Sequence, residues 1–398
     1  MLALPPLLAF ALIAAASSGV ALLVLPLAQR LGQRLGMVDL PRPGEVQDRP
    51  LPRSGGYALY PAFFAGVLVA ILTLPRYPDE WLRLAGLTLG ALLILPLAYC
   101  DDRYRLSPWP QLAAQLLIAL VATQFDIRID RVSNPFGGTI PVPEELVIPL
   151  TMLWIVGMIN TVNFADGVDG LAGGIGVIAA TTLFLVSVLL GQYSIAALAL
   201  ALAGATVAFL RWNFFPARLI LGTSGATLIG FLLATLSIIG GAKIATALMV
   251  LGLPIADVAT VIGYRLLQRR SPFQGGDRAH LHHRLLALGL SQRQVVYLFY
   301  ALCAGLGALA IALSAVGRHW GIVAMAVVVA TVLAYVLPRS GRLISQGRAL
   351  AGLGGGRRGG APPSRAQPMA AHPQGVVDRG EQASRRGTIA GAGDRQPG

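Results

Sequence analysis

Long apolar stretches alternate with short polar segments along most of the chain. About eleven of these stretches have the length of an α-helix that crosses the hydrocarbon core of a bilayer, which is about 17 to 25 residues. They lie near 5–28, 55–74, 82–100, 109–125, 145–160, 170–190, 194–212, 219–240, 243–263, 295–316 and 319–337. The pattern predicts an all-α fold, a polytopic integral membrane bundle of about eleven transmembrane helices.

Two regions depart from this helical pattern. Residues 125–132 alternate apolar and polar side chains and lead into Asn-Pro-Phe-Gly-Gly at 134–138, which predicts a small external β-hairpin. Residues 339–398 are rich in Gly, Ala, Pro, Ser and Arg, so they bury too little apolar surface to offset the entropy of ordering. We therefore expect a membrane domain over 1–338 and a disordered cytoplasmic tail over 339–398.

Composition supports a membrane protein and gives its orientation. Of the 398 residues, 55% are hydrophobic and 12% are charged, whereas soluble domains have about 25% charged residues. With the N-terminus outside, all but six of the 31 Lys and Arg residues lie on the inner side, as the positive-inside rule requires. The six on the outer side are Arg76, Arg83, Arg128, Arg131, Lys243 and Arg318. The net charge of +13 is therefore a topology signal of a plasma-membrane protein and does not indicate nucleic-acid binding.

The most polar stretch between two apolar spans runs from Asn160 to Gly176. It reads Asn-Thr-Val-Asn-Phe-Ala-Asp-Gly-Val-Asp-Gly-Leu-Ala-Gly-Gly-Ile-Gly and contains Asp166 and Asp169. Carboxylates beside hydrocarbon are costly, and glycines let the backbone approach a ligand closely. The functional interpretation of this stretch is a binding site for a metal or a nucleotide. The alternative is a solvated turn in which Asp166 only caps the following helix.

Further candidate groups fall on the same inner side of the predicted bundle. Asp101 and Asp102 end the third span, and adjacent carboxylates suggest a bound cation or a shared proton. Three of the five histidines lie at 280–283 in an H-x-H-H pattern, which does not match a usual zinc site. Imidazoles together with Arg278 or Arg284 predict a phosphate clamp. Asp257, within the ninth span, faces either the bundle interior or a wet cleft.

The grouping of these residues at one interface distinguishes two classes of protein. A transporter would place its polar residues near the bilayer midplane, on broken helices and in repeated halves. Chemistry at one surface instead suits a reaction that joins a water-soluble substrate to a lipid. Several carboxylates without zinc-type ligands favour Mg²⁺, with Mn²⁺ as an alternative, because Mg²⁺ binds carboxylates together with substrate phosphates. Phosphoryl transfer is the reaction class that such groups support.

Four motifs in chain order carry a resemblance to a known family. They are Asp39-x-Pro41 with Pro50-x-Pro-x-x-Gly-Gly56, Asp101-Asp102-Arg-x-x-Leu106, Asn160-x-x-Asn-Phe-x-Asp166-Gly-x-Asp169-Gly-Leu-Ala, and His280-Leu-His-His-Arg-Leu. Together they resemble the polyprenyl-phosphate N-acetylhexosamine-1-phosphate transferases. The resemblance extends over about residues 1–335, and the His-x-His-His form is closer to the branch that uses UDP-N-acetylglucosamine.

The resemblance implies a reaction and its partners. A polyprenyl phosphate, undecaprenyl phosphate by expectation, would attack the sugar-bearing phosphorus of a UDP-N-acetylhexosamine and release UMP. The product would be a lipid-linked pyrophosphoryl sugar, formed in the first membrane step of cell-envelope polysaccharide biosynthesis. The partners would be the UDP-sugar, undecaprenyl phosphate and membrane lipid, with a homodimer as a further possibility.

The resemblance also implies roles for individual residues. The catalytic group would be Asp101, Asp102, His282 and His283. Substrate binding would involve Asn160, Asn163, Asp166, Asp169, His280, Arg284 and Arg49. Mg²⁺ would be held by Asp102, Asp166 and Thr223. Within these sets, Asp101 would deprotonate or orient the lipid phosphate, and the histidines would engage the diphosphate.

Two departures from the family pattern leave alternatives open. Gly222-Thr-Ser-Gly225 stands where family members commonly have Gly-Asp-x-Gly, and the first inner loop lacks the usual basic pair and His. Arg42, Arg49 or Arg53 would have to replace those basic groups. The alternatives are a phospho-MurNAc-pentapeptide transferase, a transporter that uses Asp257, and an inactive homologue that binds lipid.

Overall fold

A computed structural model describes residues 4–41, 49–134, 138–240, 243–269 and 280–316, together with 326–327, 330–331 and 334. These residues form mainly α-helices. The helices are α1 Pro6–Arg34, α2 Leu59–Thr73, α3 Pro78–Tyr104, α4 Pro108–Gln124, α5 Glu144–Ala165, α6 Leu171–Leu189, α7 Tyr193–Asn213, α8 Gly222–Ile239, α9 Ile244–Val250, α10 Gly252–Leu267, α11 Leu281–Ala287 and α12 Gln292–Ala315. A 3₁₀ turn, Gly55–Ala58, precedes α2.

The prediction of a helical membrane bundle is confirmed, but the count of about eleven spans is not. Among the described residues, eight helices are long and apolar enough to cross a membrane, and a ninth crossing results if α9 and α10 form one span. Helix α4, with 17 residues, is at the short end of the spanning range. The predicted span near 319–337 falls largely outside the described residues, and the predicted tail 339–398 falls wholly outside them.

The ends of the helices follow from local sequence. Proline occupies the first turn of α1, α3 and α4, where its missing N–H costs no hydrogen bond. Acidic residues fill the first turn of α5, at Glu144 and Glu145, where they interact favourably with the helix dipole. Ser291 and Gln294 form a reciprocal capping box at the start of α12. These local signals fix where the helices begin.

Helix α8 lies at the centre of the bundle. All of its residues are buried, and it packs against α3, α5, α6 and α7. Small side chains let the neighbouring backbones approach: a Cβ on Gly230 would lie 2.6 Å from Ile159 Cα on α5. The first turn of α8 meets the last turns of α3 and α5, so three chain segments converge at this end of the bundle.

The ninth predicted span, 243–263, is not a single straight helix. It is divided at Leu251 into α9 and α10, which meet at an angle of 77°. Gly252 and Pro254 follow the break, and proline cannot donate the N–H that a continuous helix would need at that position. The bend directs α10 towards the segment that carries the histidines.

Two small hairpins lie among the described residues. The predicted hairpin is present as β3, Arg131–Ser133, paired antiparallel with β4, Thr139–Pro141, and its external placement stays a prediction. A second hairpin, which the sequence did not predict, pairs β1, Val38–Asp39, with β2, Leu51–Pro52. After β2 the backbone bonds to the segment before α8: Ile220 N donates to the Pro52 carbonyl at 2.9 Å. Gly55 N donates back to the Ile220 carbonyl at 3.0 Å. This pairing fixes the first loop beside the start of α8.

Candidate active site

Asp102 is held at the N-terminus of the central helix. Asp102 lies in the last turn of α3 and is buried, with 3% of its surface exposed. The Thr223 and Ser224 backbone N–H groups donate to its two oxygens at 2.8 and 3.3 Å. Free N–H groups and the helix dipole favour a negative charge at a helix N-terminus. The first turn of α8 therefore fixes the position of the Asp102 carboxylate.

Two side chains from the first loop also reach Asp102. Tyr57 donates its hydroxyl to Asp102 Oδ2 at 3.3 Å, and Arg53 Nε lies 3.7 Å from Oδ1. Arg53 Nε is buried without a hydrogen-bond partner. A buried donor that lacks a partner is costly, so this N–H is available to an anion that enters the site.

Asp101 has a separate set of partners. Its Oδ1 accepts hydrogen bonds from Leu106 N at 2.9 Å and from Gln111 Nε2 at 2.7 Å, and its Oδ2 accepts one from the Thr223 hydroxyl. Adjacency in the sequence predicted a cation or proton shared by the two carboxylates. In the structure the two carboxylates have different donors. Thr223 bonds to Asp101 through its hydroxyl and to Asp102 through its backbone N–H.

Glycine is required at position 222 by its backbone and by its surroundings. Gly222 has φ +72°, a conformation that L side chains rarely adopt. A Cβ there would lie 2.3 Å from the Arg53 carbonyl oxygen and 3.0 Å from Asp102 Oδ1. Any side chain would therefore separate the first loop, the Asp102 carboxylate and the start of α8.

Asp166 belongs to the same electrostatic cluster. It follows the last residue of α5. The pKa of Asp166 is raised to about 8, mainly by burial and also by the nearby charges of Asp102 and Asp169. Arg53 and a backbone hydrogen bond from Gly222 oppose that rise. Asp102 and Asp166 are far apart in sequence, and backbone N–H groups at the start of α8 bond to both.

Asp169 and Arg49 both contact the backbone of one residue in the loop after α7. Ala217 N donates to Asp169 Oδ2 at 3.0 Å, and Arg49 Nη2 donates to the Ala217 carbonyl at 2.9 Å. Both residues were predicted to bind substrate. In the structure they tie the Asp166–Gly170 turn and the first loop to the segment that leads into α8.

The two asparagines are placed along α5. Asn160 donates to Gln115 Oε1 on α4 at 2.6 Å and to the Val156 carbonyl at 2.8 Å. Asn163 donates to Thr227 Oγ1 on α8 at 3.4 Å. These bonds hold α5 against α4 and α8 beneath Asp166. Substrate contact by either amide stays a prediction.

The histidine segment lies against the Asp166 turn. A Cβ on Gly167 would be 2.9 Å from His282 Nε2, so the imidazole occupies the space that this glycine leaves. The His280 ring stacks on Phe164 with centroids 5.0 Å apart and lies parallel to the His282 ring at 5.7 Å. The structure therefore brings the predicted histidines to the predicted aspartates.

Burial determines the charge state of the central histidine. His282 is 3% exposed, and burial lowers its pKa well below the usual value, with further lowering by His283 and His280. His282 is therefore neutral near pH 7. The His283 ring is tilted against His282 at 4.3 Å, and Arg284 is half-buried on the same short helix, α11.

The donor set fits a hard divalent cation. Among the described residues, no three His, Cys, Asp or Glu side chains form a metal-binding group. Mg²⁺, however, is usually bound through one or two carboxylates together with substrate phosphates. The Asp102 and Asp166 carboxyl groups, which lie close enough to affect each other's charge, match that requirement. The Thr223 hydroxyl donates a hydrogen bond to Asp101, and the role of Thr223 as a metal ligand stays a prediction.

Two side chains at the site were missed as site residues. Tyr57 bonds to Asp102 and Gln111 bonds to Asp101, and neither was singled out from the sequence. Gln111 had a detectable signal, because it is a polar residue near the start of an otherwise apolar helix. Ser224 lies in the Gly222–Gly225 stretch that the sequence did single out, and its backbone N–H bonds to Asp102.

The chain is similar to known proteins over most of its length. A family model described as glycosyl transferase family 4 matches residues 84–241. A probable undecaprenyl-phosphate N-acetylglucosaminyl 1-phosphate transferase of Bacillus subtilis is 34% identical over 70% of this chain and 78% of its own length. A decaprenyl-phosphate N-acetylglucosaminephosphotransferase of Mycobacterium leprae is 33% identical over 77% of this chain and 85% of its own. A phospho-N-acetylmuramoyl-pentapeptide-transferase of Clostridium perfringens is 35% identical, but over 38% of this chain and 48% of its own.

Proposed function

Because the chain belongs to glycosyl transferase family 4, we propose that it transfers N-acetylglucosamine-1-phosphate from UDP-N-acetylglucosamine to undecaprenyl phosphate. The relatives that match over most of their length are named as N-acetylglucosamine-phosphate transferases, one for undecaprenyl phosphate and one for decaprenyl phosphate. One structural observation carries the proposal to this chain. Asp101 and Asp102, Asp166, the start of α8 and the histidine segment meet at one end of the bundle.

The proposed reaction is a single displacement at phosphorus. An oxygen of undecaprenyl phosphate forms a bond to the β-phosphorus of the nucleotide sugar. The bond from that phosphorus to the bridging oxygen breaks, and UMP leaves with the electron pair. Because positioning and charge stabilisation supply most of the catalysis in phosphoryl transfer, a rigid set of charged groups suits this chemistry.

The side chains have distinct roles in this proposal. Asp101, fixed by Leu106, Gln111 and Thr223, would orient or deprotonate the acceptor phosphate. The orphaned N–H of Arg53 would bind a phosphate oxygen. His280, His282 and His283, together with Arg284, would contact the diphosphate of the donor. Asn160 and Asn163 would support the Asp166 turn.

Asp102 and Asp166 would hold Mg²⁺, with Mn²⁺ as a substitute, and Thr223 would be a third and weaker ligand. The bound cation would neutralise charge on the diphosphate of the donor. Since two carboxylates alone bind Mg²⁺ weakly, we expect tight binding of the metal only with the nucleotide sugar. Titration calorimetry of Mg²⁺ with and without UDP-N-acetylglucosamine would test this expectation.

UMP release by the purified protein tests the proposed function. The reaction needs UDP-N-acetylglucosamine, undecaprenyl phosphate and Mg²⁺, and omission of any one should abolish UMP formation. Competition with UDP-MurNAc-pentapeptide separates the related transferase activity, since the proposed enzyme should ignore that donor. Uptake by reconstituted vesicles without UMP release would favour a transporter. Lipid binding without turnover would indicate an inactive homologue.

In this proposal the protein is a multi-pass plasma-membrane enzyme with its site on the cytoplasmic side. The cytoplasm is where a nucleotide sugar is available, and the positive-inside distribution of arginines supports the same orientation. Labelling of single introduced cysteines in intact cells would test it. A cysteine near Asp101 should be protected from an impermeant reagent, and one in the β3–β4 hairpin should react.

A further inference from the structure

Asp257 is buried on α10, and nothing in the proposed reaction uses it directly. Asp257 is 7% exposed and lies in the half of α10 nearer the bend. A carboxylate buried in a membrane bundle is costly unless its oxygens are satisfied. Both oxygens are satisfied by the histidine segment: His280 Nδ1 lies 3.0 Å from Oδ2, and Leu281 N donates to Oδ1 at 2.7 Å.

These two contacts fix different properties of the segment. The bond from Leu281 N secures the first residue of α11, the short helix that carries His282 and His283. The contact with His280 sets the orientation of that ring. Because a carboxylate only accepts hydrogen bonds, it also requires a proton on Nδ1 and directs Nε2 away from Asp257.

The remaining surfaces of the His280 ring are also occupied. Phe164 stacks on it, and the parallel His282 ring leads to Gly167 in the Asp166 turn. A displaced His280 would therefore also change the position of its neighbour. For histidines that bind a metal, loss of the partner that orients the ring typically costs about 10- to 100-fold in activity, and we expect an effect of the same order here.

We propose that Asp257 is a positioning residue for sugar-phosphate transfer: it fixes the ring orientation and the Nδ1 proton of His280 and anchors the start of α11. The catalytic part of this inference rests on the proposed function. Asp257 touches no substrate in this arrangement and acts only through the histidine segment.

Asp257→Asn separates orientation from folding. The asparagine side chain has the same size as aspartate but only one oxygen. That oxygen must accept the hydrogen bond from Leu281 N, because a backbone amide is always a donor. The side-chain amide N–H then faces His280 Nδ1 and requires an unprotonated nitrogen there. The variant should therefore keep α11 in place while the proton of His280 moves to Nε2.

Nitrogen-15 NMR of labelled histidine detects which ring nitrogen carries the proton, and the five histidines of the chain give few signals to assign. His280→Gln assigns the signal. We expect a protonated Nδ1 in the unsubstituted protein and an unprotonated Nδ1 in Asp257→Asn. A signal that is the same in both proteins would overturn the inference. Thr260→Ala, which removes only a bond within α10, is the matched control and should leave the His280 signal unchanged.

Turnover provides the second measurement. We expect kcat/KM for UMP release to fall by about 10- to 100-fold in Asp257→Asn and to stay near the original value in Thr260→Ala. Asp257→Asn should add little to the loss already caused by His280→Gln, because Asp257 acts through that ring. Unchanged turnover in Asp257→Asn, or a full additive loss in the double variant, would overturn the inference. If the unsubstituted protein releases no UMP, the proposed function fails, and the NMR signal still decides whether Asp257 fixes His280.

Discussion

The two ends of helix α3 carry ionisable groups in contrasting arrangements. Asp101 and Asp102 lie at its C-terminus, and Glu80 lies in its first turn, about 32 Å away at 1.5 Å per residue. At the C-terminal end, carboxylates from different segments face one another, and backbone N–H groups hold Asp102 in place. Arg53 Nε lies 3.7 Å from Asp102 Oδ1, and the pKa of Asp166 is raised to about 8, so a cation that binds here near pH 7 would displace a proton.

At the opposite end, charges of both signs are spread among separate partners. Glu80 accepts a hydrogen bond from Ser194 at 2.6 Å, and Lys243 donates one to Ser187 at 2.6 Å. Burial lowers the pKa of Arg76, and Glu80 partly restores it. Arg76 Nε and Nη2 and Glu80 Oε2 are buried without a hydrogen-bond partner in the protein, and bound water can satisfy groups of this kind. The comparison indicates that this site is marked by carboxyl groups from different segments held together at a helix N-terminus, and that burial alone does not mark such a site.

The largest difference between the two ends should appear when one carboxylate is neutralised at each. We expect Asp166→Asn to reduce UMP release by at least about 1000-fold, because it removes charge from the metal and diphosphate site. Glu80→Gln should keep turnover within about threefold. Both rates are measured with purified protein of matched thermal stability. Comparable losses in the two variants would remove the distinction between the ends.

Gly222 and Gly138 give a matched pair of backbone substitutions. Both have positive φ, but a Cβ at Gly138 would meet nothing within 4 Å, whereas one at Gly222 would contact Arg53 and Asp102. We expect Gly222→Ala to lower kcat by about 100-fold, because it displaces the carboxylate and the first loop. Gly138→Ala should cost only the backbone strain. Equal kinetics in the two variants would show that the close approach at Gly222 is unimportant.

Thr223→Val tests the hydroxyl that bonds to Asp101. The backbone N–H to Asp102 is retained, so we expect a loss of about tenfold in kcat, which corresponds to one hydrogen bond of about 1.4 kcal/mol. Thr235→Val is the control, because that buried hydroxyl bonds only within α8. Thr223→Ser should retain most of the activity. A normal rate for Thr223→Val would mean that Asp101 does not depend on Thr223.

The smallest effect on turnover is expected from Lys243→Met. Lys243, the single lysine of the chain, is buried at the opposite end with Ser187 as its bonded partner. Ser187 is neutral, and a charge buried without a counter-charge is costly, so an apolar side chain of similar length removes that cost. We expect turnover within about twofold and an unchanged or higher Tm by differential scanning fluorimetry. A large loss of turnover with normal stability would connect the two ends of the bundle.

The sequence predicted the helical membrane class and most of the residues that meet at the acidic end. Apolar length and charge asymmetry are properties of single segments, so they can be read without a structure. The bend at Leu251 and the β1–β2 hairpin were not predicted. Gly252 and Pro254 were visible signals for the bend, whereas the two-residue strands of the hairpin are too short to show an alternating pattern.

The partners within the site were the least predictable part. Adjacent Asp101 and Asp102 suggested one shared ligand, whereas the fold gives each its own donors. Asp169 and Arg49 were expected to bind substrate, and both hold the backbone of Ala217. Asp257 could not be assigned a role until the bend placed it beside His280. A side chain shows its chemistry in the sequence, but its partner is a property of the fold.

The central claim is that the acidic end transfers a sugar together with its phosphate to a lipid. UDP-N-acetylglucosamine labelled with ³²P at the β-phosphate and with ¹⁴C in the sugar tests this most directly. After incubation with the purified protein, undecaprenyl phosphate and Mg²⁺, both labels should enter the lipid fraction in equal amounts, with UMP as the soluble product. Sugar label in the lipid without phosphorus label, or UDP as the soluble product, would contradict the account.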